Sequence, residues 1–217
     1  MGYEKAIGYL KRLWIFIWHD DSLASWITSI ILAFVLVKFV IYPGLGLLFG
    51  TTHPIVAVVS GSMEHRLVDD NGRYTICGAG FSEKRKIDFD VYWETCGNFY
   101  KEYNISKDAF NSFKFSNGFN TGDVMIIFRA EPKDIKIGDV IVFKSYRPDP
   151  IIHRVIQVRN TEIGIRIKTK GDHNSNSGPD ENSIDEESIV GRAVFRVPLL
   201  GYVKITFVKI ISLIKGG

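Results

Sequence analysis

Cysteine is scarce. Cys77 and Cys96 are the only two in 217 residues, so the chain allows at most one bridge, across a loop of about 20 residues, and only an oxidising compartment would keep it closed. Two unpaired buried thiols are the alternative. Net charge is scarce as well. Against 27 Lys and Arg stand 24 Asp and Glu, a balance of +3, and the basic residues are scattered, which excludes nucleic acid as a partner. The run Glu83-Lys84-Arg85-Lys86 reads as a solvated face. No spacing of His, Cys, Asp and Glu matches a strong metal-ligand pattern, even at Asp172-His173, so neither a metal nor a cofactor is called for.

One long apolar run is present. Leu23 to Tyr42 is about twenty residues, enough to cross roughly 30 Å of hydrocarbon. It reads as an uncleaved membrane anchor, because it is too long for a signal peptide, Asp20 and Asp21 precede it, and no small-x-small cleavage pattern follows. A helix ending at Tyr42, before Pro43-Gly44, would leave Lys38 about one turn from its end, within snorkelling reach of the headgroups. Ahead of the run, Tyr3, Ile7, Leu10, Trp14 and Trp18 mix with Lys5, Lys11 and Arg12. That pattern suits an amphipathic helix at a membrane surface or a small cytoplasmic helix packed on itself. The three cations favour a cytoplasmic N-terminus. The rest of the chain then lies outside the cytoplasm, where Cys77 and Cys96 could pair.

Just past the anchor, Ile55 to Val59 reads as a buried strand, and Ser60-Gly61-Ser62 as a sharp turn that presents a hydroxyl at its end. Ser62 is the candidate nucleophile. From Leu67 to about Asn120 aromatics and charges mix without strict alternation, an inserted subdomain with short helices expected at Asp90–Tyr103 and Ser106–Phe113, Ser106 serving as N-cap. Strands return in Gly122-Asp123-Val124-Met125-Ile126-Ile127-Phe128 and its near copy Gly138-Asp139-Val140-Ile141-Val142-Phe143, then in 151–158, 163–169 and 189–197. Alternation in Ile151-Ile152-His153-Arg154-Val155 projects His153 from the face opposite Arg154. Lys170-Gly171-Asp172-His173-Asn174 opens a Gly/Asn/Ser-rich loop that runs through Gly178-Pro179-Asp180-Glu181.

In this order, behind an anchor, Ser60-Gly61-Ser62-Met63, the Gly-Asp-Val strands, Ile152-His153-Arg154-Val155, Thr169-Lys170-Gly171-Asp172 and Val190-Gly191-Arg192 followed by Val197-Pro198 resemble a type I signal peptidase of the archaeal and endoplasmic-reticulum branch. The resemblance implies a mainly β catalytic domain with a small mixed insert, held on the outer face of the membrane by an N-terminal transmembrane helix, single-pass with the N-terminus cytoplasmic. The expected organisation is 1–22 cytoplasmic or interfacial, 23–50 anchor, 51–66 and 121–200 catalytic domain, 67–120 insert, and 201–217 an apolar membrane-associated segment. The activity implied is removal of signal peptides from exported preproteins. Partners are those preproteins, the lipid bilayer and the secretion translocon.

The same resemblance assigns roles. Ser62 matches the nucleophile, and His153 stands where the bacterial branch has a catalytic lysine. Asp180 matches the aspartate that completes the site, with Asp172 of the Gly-Asp pair as the second candidate. Ser60 and the Ser62 N–H would meet the oxyanion. Glu64-His65 departs from the usual Glu-Pro, and the 172–180 loop is a little longer than in the family. Such chemistry asks for these types, since a serine hydroxyl needs a neutral imidazole to take its proton and a carboxylate behind the ring to hold the tautomer. A non-catalytic membrane-anchored binding or assembly module is the other reading, and it leaves Ser62 and His153 unrelated in space.

Overall fold

The two Gly-Asp pairs are turns that launch strands. In the computed structural model, which describes residues 2–202 and 205–206, Gly122 and Gly138 take left-handed φ of 90° and 94°. Each following aspartate reaches back three residues, Asp123 Oδ2 accepting from the Asn120 N–H at 2.8 Å and Asp139 Oδ2 from the Lys136 N–H at 2.9 Å. The near copies in sequence are copies in structure.

The elements in chain order are α1 (Gly2–His19), α2 (Leu23–Leu36), α3 (Tyr42–Phe49), β1 (Ile55–Ala57), β2 (Val68–Asp70), β3 (Arg73–Ile76), β4 (Ala79–Phe81), α4 (Phe89–Glu102), α5 (Lys107–Ser112), β5 (Val124–Phe128), β6 (Val140–Phe143), β7 (Ile151–Thr161), β8 (Gly164–Lys170), β9 (Ile184–Asp185) and β10 (Ile189–Val197). Seven strands form one antiparallel sheet in the order β1-β5-β10-β6-β7-β8-β9. The protein is mainly β outside its N-terminal helices. Central β6 is buried on both faces. Val140 and Val142 pack with Val58, Met63, Met125 and Ile152 on one side, and Ile141 and Phe143 with Val155, Ile167 and Ile184 on the other. β7 is held in register by its pairing with β6, His153 opposite Ile141 and Arg154 opposite Val140.

Residues 67–120 carry their own core. Asp88 and Ser106 cap α4 and α5, their side chains accepting from the Val91 and Ala109 N–H groups. A three-stranded sheet, β2-β3-β4, stands beside these helices where the sequence suggested no strands. Tyr92, Trp93, Tyr100 and Phe110 are buried together with Ile76, and Ile156 of β7 joins the same cluster from the large sheet. Cys77, in the two-residue turn between β3 and β4, is disulfide-bonded to Cys96 in α4.

Residues 1–48 form a compact unit of their own. Within it the Ser22 hydroxyl caps α2, and Ser25 Oγ donates to the Phe16 carbonyl of α1. The long helix does not stop at Tyr42. It runs from Leu23 to Phe49, 27 residues, about 40 Å, long and apolar enough to cross a membrane. Pro43 is absorbed by a π-helical turn at Val37–Ile41, in which the Tyr42 N–H reaches back to the Val37 carbonyl. Pro43 then enters the next turn where its missing N–H leaves no gap. Lys38 is therefore about three turns from the helix end, its ammonium over the Phe34 and Phe39 rings. The 201–217 segment lies outside the described residues apart from Gly201, Tyr202, Ile205 and Thr206.

Candidate active site

Beyond β1 the chain turns sharply, the Glu64 N–H bonding back to the Gly61 carbonyl at 3.0 Å, and Ser62 stands at the turn. β7 brings up an imidazole. His153 Nε2 lies 2.8 Å from Ser62 Oγ, although 91 residues separate the two in sequence. The ring's other nitrogen, Nδ1, lies 2.5 Å from Glu181 Oε1. A carboxylate at Nδ1 fixes the proton there and leaves the Nε2 lone pair facing the serine hydroxyl.

Glu181 is shaped for this contact. It ends the 3-10 turn Pro179–Glu181 and reaches back over its start, Oε2 accepting from the Gly178 N–H at 2.7 Å, while Thr169 Oγ1 donates to Oε1 at 3.1 Å. It is 4% exposed and His153 7%. Burial alone would raise the Glu181 carboxyl. The hydrogen bond and charge of His153, with the Gly178 N–H and the Thr169 hydroxyl, bring it below its ordinary value and keep it ionised at neutral pH.

Neither aspartate marked in the sequence meets the imidazole. Asp180, one residue before Glu181, lines the same cleft but makes no hydrogen bond to His153. Its Oδ2 makes no hydrogen bond and lies 3.5 Å from Arg147 Nε. Asp172 is wholly buried and is gripped by Arg154, with Nε at 2.9 Å from Oδ1 and Nη2 at 2.7 Å from Oδ2, and also by His65 Nε2 at 3.0 Å and the Tyr100 hydroxyl at 3.0 Å. Among the described residues its carboxylate accepts from side chains and from no backbone N–H. Burial would raise its carboxyl, but the Arg154 guanidinium and the His65 hydrogen bond hold it well below the carboxylate range. His173, beside it, donates from Nδ1 to the Glu64 carbonyl at 3.1 Å. Ser60 Oγ lies 3.2 Å from Ser62 Oγ.

Ser62 and His153 open into a cleft of about 700 Å³, with Val56 to Ser60 along one wall and Arg147 to Ile152 along the other. Among the described residues β1 is an edge strand, with β5 on one side of its backbone and no strand on the other. Gly171 packs against the pair. A Cβ there would come within 2.8 Å of both His153 Nε2 and the Ser62 carbonyl, so only glycine fits beneath the pair.

No protein-family model matches the chain. Curated proteins do. The signal peptidase complex catalytic subunit SEC11C of Homo sapiens is 36% identical over 96 residues, 40% of this chain and 49% of the relative. The corresponding subunit of Dictyostelium discoideum is 32% identical over 94 residues, 40% and 52% of the two chains, and that of Metarhizium robertsii 29% over 94 residues, 40% and 55%. This chain is a relative of signal peptidase catalytic subunits. It spans about half the length of the signal peptidase relatives it matches.

Two residues of the site were not marked by the sequence. Glu181 had a local signal, Gly178-Pro179-Asp180-Glu181, the pattern of a helix start with proline at the first position and a glutamate two residues later that turns back over the entry. Arg154 had none. It is fully buried, and all five of its N–H donors are used, on Asp172 and on the carbonyls of Lys114, Phe115 and Gly138, groups far apart in the chain.

Proposed function

We propose that this chain is a membrane-anchored serine endopeptidase that removes N-terminal signal peptides from exported preproteins, with Ser62 as nucleophile, His153 as general base and Glu181 holding the base. The observation that carries the proposal is the continuous line Ser62 Oγ, His153 Nε2, His153 Nδ1, Glu181 Oε1, at 2.8 and 2.5 Å, at the floor of an open cleft. The non-catalytic alternative left Ser62 and His153 unrelated, and they are in hydrogen-bond contact.

In this reading an extended segment of the preprotein adds beside the free edge of β1, its backbone held by Val56 to Val59. Ser62 Oγ attacks the scissile carbonyl carbon as His153 Nε2 takes the hydroxyl proton, and the imidazolium formed is stabilised by Glu181. The oxyanion faces the Ser62 N–H and the Ser60 hydroxyl. The carbon–nitrogen bond then breaks, the leaving amine taking the proton from Nε2 and leaving an ester on Ser62. Water, deprotonated by the same nitrogen, releases the signal peptide as an acid.

The anchor is single-pass with a cytoplasmic N-terminus and the catalytic domain outside. Lys5, Lys11 and Arg12 on one side of the span and the Cys77–Cys96 bond on the other support that orientation. Preproteins then arrive from the secretion translocon, at the bilayer surface. The test is incubation of the detergent-solubilised chain with a preprotein. Cleavage at the signal-peptide junction is expected, and Ser62→Ala should slow it by at least about 10³-fold while leaving the fold intact. No cleavage by the parent chain, or near-parental cleavage by Ser62→Ala, defeats the proposal.

A further inference from the structure

The insert is left without a task by the chemistry above, yet its polar contacts converge on the catalytic loop. The Tyr92 hydroxyl donates to the Asp172 carbonyl at 2.9 Å and the Tyr100 hydroxyl to Asp172 Oδ1 at 3.0 Å. The Cys77 N–H donates to the His173 carbonyl at 2.9 Å, and Cys77 Sγ is 3.3 Å from the Asp172 carbonyl oxygen. Tyr92, Cys96 and Tyr100 recur every four residues and so form one stripe of α4. The disulfide ties the β3–β4 turn to the middle of that stripe.

The other side of the same loop is the site. The His173 N–H donates to the Ser62 carbonyl at 2.8 Å, Gly171 lies under the Ser62–His153 contact, and Asn174 lines the cleft. Residues 171–174 are thus a strip one chain thick, with the insert on one side and the nucleophile turn on the other. Strips of this kind keep their place only while both sides hold.

We propose that the insert is a clamp that positions residues 171–174, and through them Ser62, and that the Cys77–Cys96 bond is its lock. Tyr100 and Cys77 are positioning residues, touching neither substrate nor reacting atoms. The kinetic consequence rests on the peptidase reading; the mechanical one does not.

Two variants of the full solubilised chain test this, Cys77→Ala with Cys96→Ala, and Tyr100→Phe, which keeps the ring and removes one donor. Hydrogen exchange is followed at 171–174 and at β6 and β7, and kcat and KM are measured on a preprotein. Opening the lock should speed exchange at 171–174 by at least about tenfold with β6 and β7 unchanged. Each variant should lower kcat by about 10 to 100-fold, for Tyr100→Phe the range for losing a hydrogen bond to a charged group, with KM within about threefold. Loss of overall stability alone would instead speed exchange everywhere. Unchanged exchange at 171–174, general acceleration, or faster local exchange with parental kcat overturns the clamp. If the parent chain cuts no preprotein, the peptidase reading fails by itself and exchange still decides the clamp. If the double variant does not fold, Tyr100→Phe faces the same criteria.

Discussion

Replacing Glu181 with glutamine removes one charge at constant shape, and the contacts of the carboxylate show why that should be costly. Oε1 accepts from His153 Nδ1 and Thr169 Oγ1 while Oε2 accepts from the Gly178 N–H, so both oxygens act as acceptors. A glutamine has one acceptor oxygen. If it faces Gly178, its NH2 group meets His153 Nδ1 and drives the ring proton to Nε2, where it blocks transfer from Ser62; if it faces His153, the NH2 group meets the Gly178 N–H head-on. Either way the tautomer or the turn is lost. In a serine protease triad the equivalent change costs about 10⁴-fold in kcat, and a fall of about 10³ to 10⁴-fold is expected here, about 4 to 5.5 kcal/mol of transition-state stabilisation. Glu181→Asp keeps the charge but withdraws it by about 1.5 Å, one carbon–carbon bond, and should lose about 10 to 100-fold. Asp180→Asn should stay within about threefold, since Asp180 has no bond to the ring. The assay is single-turnover cleavage of a preprotein, with thermal melts to show that each variant is folded. A Glu181→Gln enzyme with more than a tenth of parental kcat, or an Asp180→Asn enzyme as damaged as Glu181→Gln is expected to be, refutes this assignment.

Arg154→Met leaves the wholly buried Asp172 without its guanidinium and should destabilise the folded unit by about 3 to 5 kcal/mol in chemical denaturation; a loss under about 1 kcal/mol would show that the buried pair is not what holds the loop. Because the Asp172 carboxyl is held below its unfolded value, its contribution is present above about pH 4 and is lost as pH falls further, so Asp172→Asn should be less stable near neutrality and show a shallower acid limb. Lys170 has the opposite sense. Burial pushes its ammonium from 10.5 down to about 8, against the pull of Asp172 and Glu181. The cost of keeping it protonated, about 3 kcal/mol, is full below pH 8 and is relieved as pH rises to 10.5. The parent chain should therefore gain stability relative to Lys170→Met across that window, and parallel stability curves would contradict it.

What was legible in the sequence follows the range of the forces involved. The roles expected of Ser62 and His153 came from the family resemblance that the ordered motifs carry, and short local patterns, a strand ending in Ser-Gly-Ser and a β-branched strand with one projecting imidazole, gave only their placement. The strands were legible for the same reason, since Gly-Asp turns and two-residue alternation are local. Asp180 and Glu181 were not separable by pattern, because neighbouring side chains on a tight turn point in different directions and only the finished loop decides which one meets His153. The helix end was misjudged for a related reason. Proline removes one donor, and a single wide turn at Val37–Ile41 compensates, so the chain stays helical to Phe49. Arg154 was out of reach, as its partners come from three separate segments, around Phe115, Gly138 and Asp172.

Arg154 and His153 being neighbours on one strand has its own consequence. Alternation turns His153 toward Ser62 and Glu181 and Arg154 toward Asp172, so a single strand presents an imidazole to the cleft and a cation to the 171–174 strip. The two carboxylates near the site are thereby kept apart in role. Asp172 is neutralised by a fixed guanidinium, whereas Glu181 is held only by N–H and hydroxyl donors and keeps its charge for the imidazole. A slip of β7 by one residue would exchange the faces, bringing a permanent cation to the nucleophile and burying the base beside Asp172. The register opposing that slip is set by β6, where Ile141 faces His153 and Val140 faces Arg154, and by the shift between Val155 and Gln157 in the pairing with β8. The chemistry at Ser62 therefore depends on strand pairing as directly as on the three residues that would carry it out.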